Sequence, residues 1–255
     1  MHPAARIAIA DTGRNHDGAD QKVSLEKWRG VIVERKYAIQ GIIGCLLFGI
    51  GDWLLGFVDP GKVDGDVFYF ISAGHGVDYA DWKIVVTLVL AVIGVLFFSQ
   101  GCIHIADYMK NEKDRAGARR VFTFITYPWL TIHFTVTIMV FVYSYMCKNV
   151  GESQAALMSQ YMDRLFDPFV FLSYFILLVA FADLIIVIAR GRTIFKKREA
   201  FFTPLTWCAV IGLISIILPE SAFSKGLYTF CMNGGMIIWF VRGLIPERHL
   251  ICKRE

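Results

Sequence analysis

The sequence has few of the signatures that usually announce chemistry. It contains no P-loop, no dinucleotide fingerprint and no Gly-x-Ser-x-Gly elbow, which leaves phosphate-cradling and α/β-hydrolase chemistry without a foothold. Ser99, Ser173 and Ser215 lie in apolar segments, but none has an adjacent base in sequence to activate it. Only His104 and His133 sit deep in apolar segments, on different segments and with no His-x-x-x-His pair. A three-histidine zinc site is therefore not expected, nor is any other metal or cofactor. Of the 6 cysteines, Cys45, Cys102, Cys208 and Cys231 fall inside apolar runs and Cys252 in the last segment. Cys147 alone approaches the opposite face, so no intrachain disulfide is expected there. The first 36 residues lack an apolar core followed by a small-residue cleavage site, so no cleavable signal peptide is expected. No internal repeat supports an inverted-repeat transporter. The net charge of +4 comes without a basic-aromatic cluster, and no nucleic-acid partner is expected.

What the chain has in excess is apolar surface. Hydrophobic residues make up 56% of it, including 21 Phe, gathered into long separate blocks. Six blocks are long enough to cross a bilayer: 37–58, 84–108, 120–147, 168–190, 201–219 and 226–245. The segments between them alternate in charge. Residues 1–36 hold 7 Lys and Arg, 109–120 hold 5, 190–200 hold 5 and the end from 242 holds 4, giving 21 on one side. The other side holds 5: Lys62, Lys83, Lys148, Arg164 and Lys225. Lys and Arg are retained on the cytoplasmic side. The pattern predicts an all-α, polytopic membrane helix bundle with six transmembrane helices and both termini cytoplasmic.

Three regions follow. Residues 1–36 form a cytoplasmic tail, 37–245 the six-span membrane domain and 246–255 a second cytoplasmic tail. Within the first tail, Leu25, Trp28, Val31 and Ile32 share a face flanked by charge. That suits either an in-plane amphipathic helix or a helical extension of the first span. The loop 59–83 opens with Asp59-Pro60-Gly61 and carries an apolar stretch too short to cross. It reads as an interfacial loop, with a lid over a pocket mouth as the alternative.

Asp52 is the most telling residue, because a carboxylate deep in hydrocarbon is costly unless it is neutral, paired or facing a cavity. It lies about 6 Å outside the centre of the first span. Cys45, Gly49, Asp52 and Gly56 share one face, and small faces pack against neighbouring helices, which turns Asp52 into the bundle. His133 is expected near mid-span and Asn233 slightly outside it, with Gln100, His104 and Asp183 on the cytoplasmic half. Asp52, Asp183 and His133 are the candidate catalytic residues. His104, Gln100 and Asn233 are candidate ligand-binding residues, and Asp107 is expected to pair with Lys110, Arg119 or Arg120.

The stretch from Ile42 to Gly56, with Gly51-Asp52-Trp53-Leu54-Leu55, resembles the opening span of an uncharacterised bacterial family of multi-span membrane proteins. That family closes its first helix with a Gly-Asp-x-Leu-Leu element and its outer loop with a tryptophan, here Trp82. The resemblance covers about the first 110 residues and implies a bacterial cytoplasmic membrane. Gly51-Asp52 and Ala182-Asp183-Leu184 are also similar to the two acidic elements of the lysoplasmalogenase-like family, which implies cleavage of the vinyl ether of a lysolipid. That family has about eight spans, and the present spacing puts Asp52 and Asp183 at least about 13 Å apart along the membrane normal. Paired hydrolytic carboxylates work at roughly 5–9.5 Å.

These features favour an integral membrane protein that binds a lipid or other amphiphile at a buried acid, imidazole and amide site. Hydrolysis of that lipid is the catalytic extension. The expected partners are membrane lipids and an unidentified small molecule or amphiphile. The alternatives are a proton-coupled small-solute transporter, using the polar residues as a ladder, and a structural membrane protein.

Overall fold

A computed structural model describes residues 16–57, 80–150 and 152–245. Among the described residues six α-helices follow one another: α1 (His16–Gly56), α2 (Asp81–Ile103), α3 (Glu112–Asn149), α4 (Glu152–Ala189), α5 (Pro204–Ile217) and α6 (Ala222–Leu244). Short 3-10 helices occupy His104–Tyr108 and Lys197–Phe202, and among the described residues there is no strand beyond one isolated bridge between Met109 and Thr193. Most of loop 59–83, the first 15 residues and the tail 246–255 lie outside the described residues.

Among the described residues four segments are long and apolar enough to cross a membrane: Arg35–Gly56, Asp81–Tyr108, Glu112–Met146 and Phe171–Ala189. They coincide with the first four expected spans. The fifth expected span is shorter than anticipated, since α5 has 14 residues. At 1.5 Å per residue it is about 21 Å long, against about 30 Å of hydrocarbon. The sixth, α6, has 23 residues, but Ser224, Lys225, Thr229, Asn233 and Arg242 dilute its apolar character. At the other end of the chain, α1 runs without a break from His16, so the segment after Ser24 is a helical extension of the first span.

Local chemistry sets several helix ends. Asn111 caps α3 by accepting the Asp114 N–H at 2.8 Å, with Glu112 and Asp114 in the first turn. Ser221 and Ser224 form a reciprocal capping box at the start of α6. Pro204 opens α5, where a missing N–H is harmless. At the end of α4, Gly191 takes φ 70°. The N–H of Gly191 then reaches Ile188 O and that of Arg192 reaches Val187 O, a Schellman closure that favours glycine.

Each helix packs beside the next, and α6 returns to lie along α1, so the six form a ring in chain order. Small residues permit the closest approaches. Gly44 faces the backbone of Phe98, Gly41 faces Gly101, and Gly235 faces Pro204 O and the backbone of Cys208. The thinnest seam is between α4 and α5. It is bridged at one end by the 3-10 helix Lys197–Phe202, which packs on α4.

The two ends of the bundle differ. At one end the segments 109–120 and 190–200 are knitted together. Lys110 N–H donates to Arg192 O, Lys110 Nζ donates to Gly191 O at 2.9 Å, and Arg192 approaches Asp114 at 3.7 Å. Arg242 pairs with buried Glu199 at 2.8 Å and lies over the Phe195 ring. At the opposite end Lys148 pairs with Asp81, and Lys83 Nζ donates to Phe57 O at 3.0 Å. The basic segments 109–120 and 190–200 and Arg242 thus share one end.

Candidate functional site

The site is assembled on α1, α3 and α6. Gly49 has no side chain where Phe230 and Asn233 press in from α6; a Cβ there would fall 3.2 Å from Asn233 Cβ. That close approach carries Asn233 to the next turn of α1, where its Nδ2 donates to Asp52 Oδ2 at 2.7 Å. Thr229, one turn away on the same face of α6, has its Oγ1 2.9 Å from the carbonyls of both Asp52 and Gly226. On the α2 side, Thr87 Oγ1 donates to Gly51 O at 3.3 Å. The backbone around Asp52 is therefore held from both flanks.

The other carboxylate oxygen faces α3. His133 Nε2 lies 3.9 Å from Asp52 Oδ1, beyond direct hydrogen-bond length, and each side chain keeps 22% exposure. Aromatic rings fix the imidazole. Phe48 meets it edge-on at 4.8 Å between centroids, and Trp129, one turn earlier on α3, stacks at 5.3 Å. Beneath this cluster Phe48, Phe98 and Trp129 form a buried aromatic layer, with Phe98 and Trp129 rings 4.8 Å apart.

Tyr174 on α4 extends the site toward the seam. It lies within electrostatic range of Asp52, Cys208, Tyr228 and Cys231, yet 53% of its surface is exposed. Tyr174 thus links the Asp52 cluster to α4, the helix whose packing on α5 is the thinnest in the ring.

The remaining candidates are elsewhere. His104 begins the 3-10 helix after α2, stacks on Tyr37 at 3.3 Å and pairs with Asp107 through Nδ1 at 2.5 Å. Asp107 in turn accepts from Arg119 at 2.7 Å, one of the partners expected for it. This cluster lies at the basic end, separated from Asp52 by the aromatic layer. Gln100 is half-buried on α2, beside the Gly101–Gly41 contact. Asp183 is half-buried on α4, nine residues past Tyr174 toward the basic end. That is about 13 Å along the helix. Among the described residues no hydrogen bond or ion pair joins Asp183 to Asp52, His133 or Asn233.

Of the six candidates, Asp52, His133 and Asn233 come together, whereas Asp183, His104 and Gln100 stand apart. Thr229, Tyr174 and Trp129 were not anticipated. The signal for Thr229 was present in the spacing of Gly226, Thr229 and Asn233, a small and polar face on α6 matching that of Gly49 and Asp52 on α1. Among the described residues, no group of three His, Cys, Asp or Glu side chains could hold a metal ion.

A family model described as "Family of unknown function (DUF6796)" matches residues 26–246. The chain belongs to this family. The match takes in every helix of the DUF6796 ring, from the α1 extension to the end of α6, and all of the residues around Asp52. No curated protein and no solved structure matches the chain.

Proposed function

We propose that this DUF6796 protein is a six-span protein of the bacterial cytoplasmic membrane, with both termini cytoplasmic, that binds a lipid or other single-chain amphiphile in the outer half of the bilayer. The orientation rests on the distribution of Lys and Arg, 21 against 5, together with the gathering of the basic segments at one end. The α5 and α6 helices supply the last two spans, with α5 sheltered against α6. Residues 1–36 and 246–255 are the cytoplasmic tails.

One observation carries the ligand reading: a carboxylate, an imidazole and an amide from α1, α3 and α6 converge, with Tyr174 linking them to the helix beside the thin seam between α4 and α5. Such a site favours a molecule that enters sideways from the bilayer, with its tail along α4 and α5 and its polar end at Asp52 and His133. The 3.9 Å spacing of Asp52 and His133 favours a second, catalytic reading, hydrolysis at the amphiphile's polar end with the pair as general acid and base. A direct Asp52–Asp183 dyad, as in the lysoplasmalogenase-like comparison, has no support from the positions of the two acids. The aromatic layer interrupts the polar ladder that a proton-coupled transporter would use.

Lipid-focused mass spectrometry on purified protein, wild type against Asp52→Asn, tests the reading. A single-chain amphiphile is expected to co-purify with the wild type and to be lost or to accumulate in the variant. Equal folding of both forms with no enriched amphiphile would overturn it.

A further inference from the structure

Two cysteines border the site without having a part in the reading above. Cys208 on α5 and Cys231 on α6 bring their Sγ atoms to 3.4 Å, and both are free thiols. They are not brought together by rotamer chance alone. Gly235, one turn along α6 from Cys231, lets the helix meet the backbone of Cys208, and Gly234 sits against Ile211 and Phe230. The two helix backbones are thereby fixed in close approach. The thiols are neither in the core nor in open lipid: both residues are half-buried. Cys231 lies within electrostatic range of Asp52, and Tyr174 and Tyr228 lie within range of both thiols.

Sulfur atoms at this separation need only a small rotation to reach the roughly 2.05 Å of a disulfide. Their depth decides what can drive that step. Peptide thiols, glutathione and other charged partners are confined to water, and the apolar helix faces around the pair keep them out. A membrane-soluble two-electron acceptor has no such barrier. It would arrive through the same seam between α4 and α5 and meet Asp52, Asn233, His133 and Tyr174, all capable of hydrogen bonding to carbonyl or hydroxyl oxygens. The absence of any third ligating group among the described residues argues against a metal at the thiols.

We infer that Cys208 and Cys231 are a redox-active dithiol that reduces a membrane quinone bound at the Asp52 site. The inference rests on the amphiphile reading and names its ligand class. In the step, the two S–H bonds break and one S–S bond forms between Cys208 and Cys231. The two electrons and two protons pass to the two carbonyl oxygens of the quinone, which leaves as the quinol. Asp52 and Tyr174 position those oxygens and relay the protons.

The test uses the full chain in lipid nanodiscs, reduced, freed of air and mixed with a short-chain benzoquinone. Intact mass should fall by two hydrogens, peptide mapping should place the link between Cys208 and Cys231, and one quinol should form per chain. Cys208→Ser and Cys231→Ala should each abolish quinol formation while the helical circular dichroism stays unchanged. The water-soluble oxidant diamide should close the bond more slowly than the quinone. Wild-type protein that keeps both thiols alkylatable after quinone overturns the inference, as does closure by diamide or air but not by quinone. If the thiols stay reduced but an amphiphile still co-purifies in the Asp52-dependent way, the redox inference fails and the amphiphile reading stands. If neither is seen, both fail.

Discussion

At the scale of single residues, Asn233 and Thr229 divide the work of holding α6 to Asp52. Asn233→Leu keeps a similar volume but leaves Asp52 Oδ2 without its amide donor, and should cost about 1–3 kcal/mol of stability. Thr229→Val should cost less, about 0.6 kcal/mol, the average for a hydrogen bond between membrane helices. Unfolding in mixed detergent micelles measures both, and equal losses would mean that the carboxylate gains nothing from the amide. At the basic end, Glu199→Gln leaves Arg242 facing a neutral partner in a mostly buried setting, and should cost about 3 kcal/mol by the same measurement. That Asp52, His133 and Asn233 fall at similar heights on their helices was legible, because residue counting along a helix converts directly into distance. Their mutual pairing was less so, since it depends on how each helix is rotated, and only small-residue faces hinted at that. Tyr174 was invisible for the same reason: an aromatic among Phe171, Phe175 and Leu178 gives no sign of which way its hydroxyl points.

For the helices, the glycines separate close packing from mere composition. A Cβ at Gly44 would fall 2.6 Å from the Cα of Phe98, backbone that cannot swing away, whereas a Cβ at Gly212 meets nothing within 4 Å. Gly44→Ala should therefore destabilise by about 1–3 kcal/mol. Gly212→Ala should leave stability unchanged or raise it by up to about 1 kcal/mol, the helix-propensity gain. Thermal unfolding of the two variants side by side checks the contrast. The existence of all six helices was readable from apolar block length, and the start of α5 from Pro204. The shortness of α5 was not, because Phe201 and Phe202 extend the apolar run while belonging to the 3-10 helix Lys197–Phe202. The even choice at residues 24–36 was likewise beyond periodicity, since an in-plane helix and an extension of α1 present the same faces.

For the molecule as a whole, the charge alternation makes a statement about sidedness. Single cysteines replacing Asp114 and Glu220 should react oppositely with a membrane-impermeant maleimide on intact cells, Glu220→Cys labelled and Asp114→Cys protected until the cells are opened. The reverse pattern would invert the orientation. Lys and Arg counts carry an expectation of sidedness, whereas the order of helices around the ring was not legible, because apolar blocks do not say which neighbours they choose. That order has a consequence for biogenesis. Synthesis runs from α1 toward α6, so Asn233 and Thr229, the α6 partners of Asp52, are made 181 and 177 residues after it. Until α6 is made, α1 carries its acid without that amide. A nascent or shortened chain is thereby marked as incomplete by its own first helix, a feature that membrane quality control could recognise.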